Sequence, residues 1–266
     1  MEMEVLGVSG VAIAYRDTGD SSGALHSSCP VMLVHGMGGD SSTWNRFAAA
    51  LTAAGRRVIS VDLRGHGRSA HTTDYSFDAF GHDIVAVVDH LGLESVDLVG
   101  HSLGGYAVTV VAQTRPRAVR SLVIEEMPIP IMPGDEPPNL TGRLPSPTEL
   151  WHAGTSLVRH PRAVLAFDRS MTASALAQFR RPNALWWGRL GDIEAPTLVL
   201  RGGPGGMVDL GRLDLLESAI PDCRVVSFKS GHSIHRDKYR DFEAAVLPFL
   251  MRGGSAHQGP TIGAWD

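Results

Sequence analysis

The amino-acid sequence predicts an α/β protein with a mostly parallel central sheet, and three observations support this fold class. Short runs of Val, Ile and Leu alternate with longer stretches of helical periodicity, as βα units require. Most of these apolar runs are continuous, which is typical of strands that are covered on both faces. The chain has 266 residues, 43% of them hydrophobic, so it can form one large core.

The predicted elements follow one another in βα order. An antiparallel hairpin is expected at residues 8–16, with its turn at Ser9-Gly10. The predicted core strands are Val31–Val34, Val58–Val61, Val96–Val99, Ser121–Ile124, Thr197–Leu200 and Arg224–Phe228. The predicted helices between and after them are Thr43–Ala54, Phe77–Leu91, Leu103–Thr114 and Tyr239–Met251.

One interval interrupts this alternation. Residues 128–147 contain seven of the 16 prolines, which excludes a regular strand or helix interior. Helical patterns follow at 147–158, 161–177 and 182–190. We therefore predict a small helical lid at 130–193 on a core formed by 1–129 and 194–251, with a loosely ordered tail at 252–266. Three tryptophans of the predicted lid either pack it onto the core or line a substrate cavity; they are Trp151, Trp186 and Trp187.

Composition excludes several classes of function. A formal net charge of −4 argues against a nucleic-acid-binding protein, and no apolar run is long enough to span a membrane. No signal peptide is visible at the start of the sequence, and two cysteines do not form a disulfide framework. We expect a cytoplasmic monomer or homodimer that acts on a small molecule. No metal-ligand spacing occurs, so we expect no metal and no cofactor.

The strongest chemical signal is Gly100-His101-Ser102-Leu103-Gly104, which lies between a predicted strand and a predicted helix. A serine flanked by glycines two residues away on such a turn is a nucleophile elbow. The turn is tight, so the flanking positions require small residues and Ser102 Oγ projects above the sheet. The N-terminus of the following helix directs N–H groups at the place where negative charge would develop.

A second glycine-rich bend, His35-Gly36-Met37-Gly38-Gly39, follows an earlier predicted strand. Such a bend lets backbone N–H groups face a ligand oxygen, and we predict an oxyanion hole formed by the N–H groups of Met37 and Leu103. Gly36 is expected to contact the substrate. The bend matches neither of the common phosphate-binding patterns, G-x-x-x-x-G-K-[ST] and G-x-G-x-x-G.

Together these motifs resemble those of the α/β-hydrolase fold enzymes. The resemblance runs from about residue 8 to 251 and also includes the segment 62–69 and Gly231-His232. It implies the α/β-hydrolase fold and structural roles for Asp62 and Arg64. Because Ser102 needs a general base, the resemblance assigns this role to His232, which follows the last predicted strand. His235 is the less favoured base, and His101 is expected to point away from the nucleophile.

The residue that orients the base departs from the commonest family pattern. The family usually has an Asp after the strand that is here Thr197–Leu200, but Gly205 stands at that place. Glu125 and Glu126 end the preceding core strand, and strand alternation would direct only one of them toward His232. Glu126 resembles the acid of certain lipases and of the resorcylic-acid macrolactone hydrolases. We therefore favour Glu126, with Glu125 and Asp209 as alternatives.

The resulting hypothesis is a serine hydrolase that cleaves a carboxylic ester or lactone through an acyl-enzyme. Other reactions of the same machinery, namely thioester, amide or C–C bond hydrolysis, stay open. A different class of function also stays open, in which the pocket only senses a ligand.

Overall fold

In the computed structural model of the protein, the described residues are 2–19, 29–135, 154, 161–203 and 206–252. Their strands form one eight-stranded sheet in the order β1-β2-β4-β3-β5-β6-β7-β8. The first three strands of that order pair antiparallel, and all the other pairs are parallel. The strands span Met3–Val8 (β1), Val11–Asp17 (β2), Val31–Val34 (β3), Val58–Asp62 (β4), Val96–His101 (β5), Val119–Glu125 (β6), Thr197–Arg201 (β7) and Cys223–Ser227 (β8).

The four helices predicted in the core are all found, and the described residues contain five further helices. They span Asn45–Ala53 (α1), Phe77–His90 (α2), Leu103–Thr114 (α3), Pro161–Ala166 (α4), Met171–Gln178 (α5), Ala184–Gly188 (α6), Leu210–Ala219 (α7), Ile234–Asp237 (α8) and Tyr239–Met251 (α9). Within the described part of the chain, no helix is long and apolar enough to cross a membrane.

Two hydrophobic clusters explain the continuous apolar runs, because each strand from β3 to β8 contributes to both. Along β3, Val31 and Leu33 belong to the cluster that packs under α1 and α9. Met32 and Val34 belong to the cluster under α2 and α3. Helices thus cover both faces of the parallel part of the sheet, as the runs predicted, and the sequence prediction of a mostly parallel α/β fold is confirmed.

The predicted elements differ from the observed ones in a few places. The hairpin is longer than the predicted 8–16, since its strands pair from Met3 with Arg16 to Val8 with Val11. The predicted helix at 43–54 begins with a 3₁₀ turn at Ser41–Trp44, which the side chain of Asp40 caps. Helix α7 was not predicted at all.

The predicted helix at 161–177 is wrong, because two helices, α4 and α5, occupy this range. The carboxylate of Asp168 between them accepts hydrogen bonds from Tyr75 Oη at 2.5 Å and from the N–H of Ser170 at 3.0 Å, which favours a turn at this point. The predicted helix at 147–158 and the tail beyond Arg252 lie outside the described residues, apart from Gly154. The division into a core and a lid stays a prediction.

Candidate active site

The turn between β5 and α3 has the geometry of a nucleophile elbow. Ser102 adopts φ 52° and ψ −118°, a left-handed backbone conformation that is strained for a residue with a side chain. A Cβ at Gly100 would collide with the backbone of Gly104, and a Cβ at Gly104 would collide with the carbonyl oxygens of Val34 and His35. The close approach of α3 to the ends of β3 and β5 therefore requires both glycines.

Two buried histidines brace the glycine-rich loop after β3. His35 Nε2 accepts a hydrogen bond from the N–H of Leu63, and His66 Nε2 accepts one from the N–H of Gly38, both at 3.0 Å. Burial lowers the pKa of His35, and burial together with His35 lowers the pKa of His66 to about 3. Both rings are therefore neutral at pH 7 and can accept these bonds. Sequence reasoning did not assign either role, although both residues lie in the motifs that carried the resemblance.

The predicted oxyanion donors lie where the loop and the elbow meet. Among the described residues, no acceptor pairs with the N–H of Met37 or with the N–H of Leu103, the first residue of α3. Between these two segments, Gly36 is so close to the elbow that a Cβ on it would lie 3.0 Å from Ser102 Cβ. Two unpaired N–H groups beside Ser102 are what an oxyanion requires.

Glu126 contacts His232, and Asp209 does not. Glu126 Oε2 lies 3.4 Å from His232 Nδ1, and the Glu126 side chain is fully buried, whereas the His232 side chain is 24% exposed. Asp209 instead caps α7, where its side chain accepts a hydrogen bond from the N–H of Arg212 at 2.9 Å. The alternative that Asp209 orients the base is therefore wrong in this geometry. Gly205, which replaces the usual acid, lies outside the described residues.

The loop after β7 holds the Glu126 carboxylate instead of supplying an acid of its own. Glu126 Oε1 accepts from the N–H of Gly202 at 2.5 Å, and Oε2 accepts from the N–H of Met207 at 2.6 Å. Glu126 itself has φ 47°, so the backbone leaves β6 in the left-handed region immediately after Glu125. Two charge-assisted hydrogen bonds thus fix a buried carboxylate against the imidazole.

We expect Gly206→Ala to lower kcat on the order of 10²-fold, because even small displacements of catalytic groups are costly. A Cβ at this position would lie 2.5 Å from each oxygen of Glu126, so the carboxylate or the loop must move. Steady-state hydrolysis of an activated ester measures the effect. Gly211→Ala is the matched control, since its Cβ would meet only Asp209 Oδ1 at an ordinary 3.6 Å. An unchanged kcat in Gly206→Ala would show that the position of Glu126 is unimportant.

A second carboxylate–imidazole pair lies beside the first. Glu125 Oε2 is 2.8 Å from His235 Nδ1, and Glu125 also accepts from the N–H of His235 at 2.8 Å. Burial would raise the pKa of Glu125, but His235 and His101 outweigh it and hold this pKa below its usual value. The two adjacent glutamates therefore face different histidines, as strand alternation predicted, and both are fully buried. Glu125 is engaged with His235, not with the predicted base.

His101 has a position that sequence reasoning missed. Its Nε2 donates a hydrogen bond to the carbonyl oxygen of His232 at 2.7 Å, and its ring contacts those of His232 and His235, with centroids 4.7 and 5.0 Å away. Burial lowers the pKa of His101 to about 3, so the ring is neutral. His101 thus holds the backbone of the segment that carries His232. The sequence analysis predicted only that this ring would point away from the nucleophile, and the partner of His101 lies 131 residues along the chain.

A cavity of about 340 Å³ opens beside the elbow. The glycine-rich loop, the segment from His232 to Arg236 and helix α4 surround it. Its described lining includes Gly36, Met37, Thr43, Ala163, Val164, Phe167 and His232. Among the described residues, no hydrogen bond joins Ser102 Oγ to His232, and such contacts often tighten only when substrate is bound. The cavity can hold a small molecule of largely apolar character against the elbow.

Neither described tryptophan of the predicted lid lines this cavity. Trp186 is 2% exposed and stacks on Tyr106 with ring centroids 6.0 Å apart. Trp187 Nε1 donates to the carbonyl oxygen of Pro130 at 2.9 Å. The expectation that these two residues bind substrate is therefore corrected, and the contacts favour the alternative that they pack the segment onto the core. Trp151 lies outside the described residues.

Comparisons with known proteins agree with this architecture. Residues 30–155 match the family model of the alpha/beta hydrolase fold. The sn-1-specific diacylglycerol lipase of Mus musculus is 28% identical over 251 residues, which cover 83% of this chain and 80% of the lipase. A hydrolase from Pseudomonas aeruginosa PA01 superposes with a TM-score of 0.75 at 26% identity, over 93% of this chain and 98% of the other.

A third protein, the N-acyl homoserine lactone degrading enzyme Est816, superposes with a TM-score of 0.70 at 25% identity, over 92% of this chain and all of that one (100%). The chain has the α/β-hydrolase fold. The relatives and structural neighbours named here are hydrolases, and this chain is an α/β hydrolase.

Proposed function

We propose that the protein is a serine hydrolase that cleaves a carboxylic ester or lactone of a moderately sized, largely apolar small molecule through an acyl-enzyme on Ser102. The observation that carries the proposal is the Glu126–His232 contact of 3.4 Å beside a strained serine elbow. The names of two similar proteins, a diacylglycerol lipase and a lactone-degrading enzyme, support ester and lactone chemistry.

In the proposed first half-reaction, His232 Nε2 takes the proton of Ser102 as Oγ attacks the carbonyl carbon. The N–H groups of Met37 and Leu103 stabilise the oxyanion of the tetrahedral intermediate. The intermediate collapses, the bond to the leaving oxygen breaks, and His232 gives its proton to that oxygen. An alcohol leaves from an ester, whereas a lactone opens and keeps its new hydroxyl group on the acyl chain.

In the second half-reaction, His232 takes a proton from water, which attacks the acyl carbon of the ester on Ser102. Collapse of this intermediate returns the proton to Ser102 Oγ and releases the carboxylic acid. Glu126 stays ionised throughout; it keeps the hydrogen of His232 on Nδ1 and stabilises the imidazolium that forms. The hydrogen bonds from the N–H groups of Gly202 and Met207 hold this carboxylate in place.

Labelling with a fluorophosphonate tests this proposal directly. The reagent should add covalently to Ser102, because only an activated serine displaces its fluoride at an appreciable rate. Mass spectrometry of the intact protein and of its peptides locates the adduct. Labelling of another residue, or none in a protein that cleaves p-nitrophenyl esters, would contradict the role of Ser102.

A further inference from the structure

The charged side chains around the cavity beside the elbow have one sign. Among the described residues that line it, Arg169 and Arg236 carry charge, and no Asp or Glu is present. Glu125 and Glu126, which contact His235 and His232 of the wall, are fully buried. Asp168 and Asp237, the chain neighbours of the two arginines, are absent from the described lining. A cleft lined by a single sign of charge concentrates ligands of the opposite sign.

Arg169 is available to a ligand. It follows the turn at Asp168, whose carboxylate is already engaged by Tyr75 and Ser170. No described residue forms an ion pair or a side-chain hydrogen bond with the guanidinium of Arg169. Arg236 lies on α8, within one helical turn of the proposed base, and is half-buried. Both arginines line the cavity in which the substrate would bind.

His235 lies in the same cavity wall, and one of its ring nitrogens has no partner among the described residues. The residue is 6% exposed, and its Nδ1 is taken by the carboxylate of Glu125. Its Nε2 is buried and has no hydrogen-bond partner in the described structure. A buried polar atom without a partner is costly and needs an explanation. This nitrogen has no exposed surface, so it does not contact the cavity, and the two arginines are the groups that a ligand there would meet.

We propose that the substrate carries a carboxylate on its acyl chain, and that Arg169 and Arg236 bind this group while the ester carbonyl lies at Ser102. This proposal rests on the proposed function and adds an anionic end to an otherwise apolar substrate. The apolar side chains of Ala163, Val164 and Phe167 lie in the same wall and would cover the methylene chain. The planar guanidinium matches a carboxylate with two parallel hydrogen bonds.

Two esters of equal chain length test the proposal. The p-nitrophenyl monoester of adipic acid ends in a carboxylate where p-nitrophenyl hexanoate ends in a methyl group. We expect a higher kcat/KM for the adipate ester. Arg169→Gln or Arg236→Gln should lower kcat/KM for the adipate ester about tenfold more than for the hexanoate ester, because one charge-assisted hydrogen bond is lost. Arg117→Gln, outside the cavity lining, is the matched control.

The possible failures are distinguishable. If both esters are hydrolysed through Ser102 but the hexanoate ester is preferred, or both fall equally in Arg169→Gln, the carboxylate site is overturned and the proposed function stands. If neither ester is hydrolysed through Ser102, the proposed function fails. Calorimetric titration of the Ser102→Ala variant with adipate then decides the site by itself: binding that weakens in the double variant with Arg169→Gln supports it, and no binding overturns it.

Discussion

Ser102→Ala is expected to abolish the hydrolysis of p-nitrophenyl butyrate, with a loss in kcat of about 10⁶-fold when the reaction passes through an acyl-enzyme. The substitution removes the only atom that would form the covalent intermediate, and His232 then has no nucleophile to activate. The fold should be kept, because the two described hydrogen bonds at this residue involve only its backbone. Its N–H donates to the carbonyl oxygen of Glu125 at 2.8 Å, and its carbonyl oxygen accepts from the N–H of Tyr106 at 3.2 Å.

The measurement is steady-state release of nitrophenolate, together with the thermal unfolding midpoint of each protein. Ser218→Ala, on the exposed surface of α7, is the matched control and should retain full activity. Turnover near that of the wild type in Ser102→Ala would show that the elbow serine is not the nucleophile. Loss of both activity and folding would require the fluorophosphonate labelling of the wild type to decide the question.

The sheet could be predicted well because its strands are buried on both faces. A short continuous apolar run such as residues 31–34 is typical of a strand that is covered on both faces. The strand β3 is found at these predicted residues. Helix α7 escaped prediction for the opposite reason: it buries only Leu213 and Leu216, while Leu210 and Leu215 are exposed. A helix without one consistent apolar face leaves no periodic signal.

In the candidate site, local turns could be predicted from the sequence, whereas contacts between distant residues could not. The elbow and the glycine-rich bend are local turns, so their residues and spacing could be interpreted directly. The partners of the two glutamates could not, because they lie 106 and 110 residues away along the chain. Alternation along β6 predicted only that Glu125 and Glu126 would diverge, and the structure adds that each faces its own histidine.

The missing acid after β7 illustrates how a departure from a family pattern can be interpreted. Sequence comparison within the motif indicated only that a glycine stands where an aspartate is usual. In the structure, the same loop wraps its backbone N–H groups around Glu126, and Gly206 leaves the space that the carboxylate occupies. The loop therefore does not supply an acidic side chain, and its backbone instead holds the carboxylate of Glu126. Such backbone contacts cannot be predicted from the sequence, in which only the glycines of the loop indicate a close approach.

Glu126→Gln is expected to lower kcat on the order of 10⁴-fold, as the loss of the orienting carboxylate does in the Ser-His-Asp triad. The amide keeps the volume of the side chain but removes the charge that stabilises the imidazolium of His232. It also places an NH₂ group, which is a donor, against the N–H of Gly202 or of Met207, and that N–H then loses its acceptor.

The rates of p-nitrophenyl butyrate hydrolysis by Glu126→Gln and by Asp209→Asn show which of these two acids orients His232. Asp209→Asn should stay within about tenfold of the wild type, because an Asn caps a helix nearly as well as an Asp and the residue lies on the exposed end of α7. Glu125→Gln is a poorer control, since it disturbs a fully buried pair with His235. The unfolding midpoint of Glu126→Gln distinguishes a lost charge from a lost fold. An active Glu126→Gln beside a nearly inactive Asp209→Asn would show that the acid reaches His232 from the later strand and that the buried carboxylate serves only the loop.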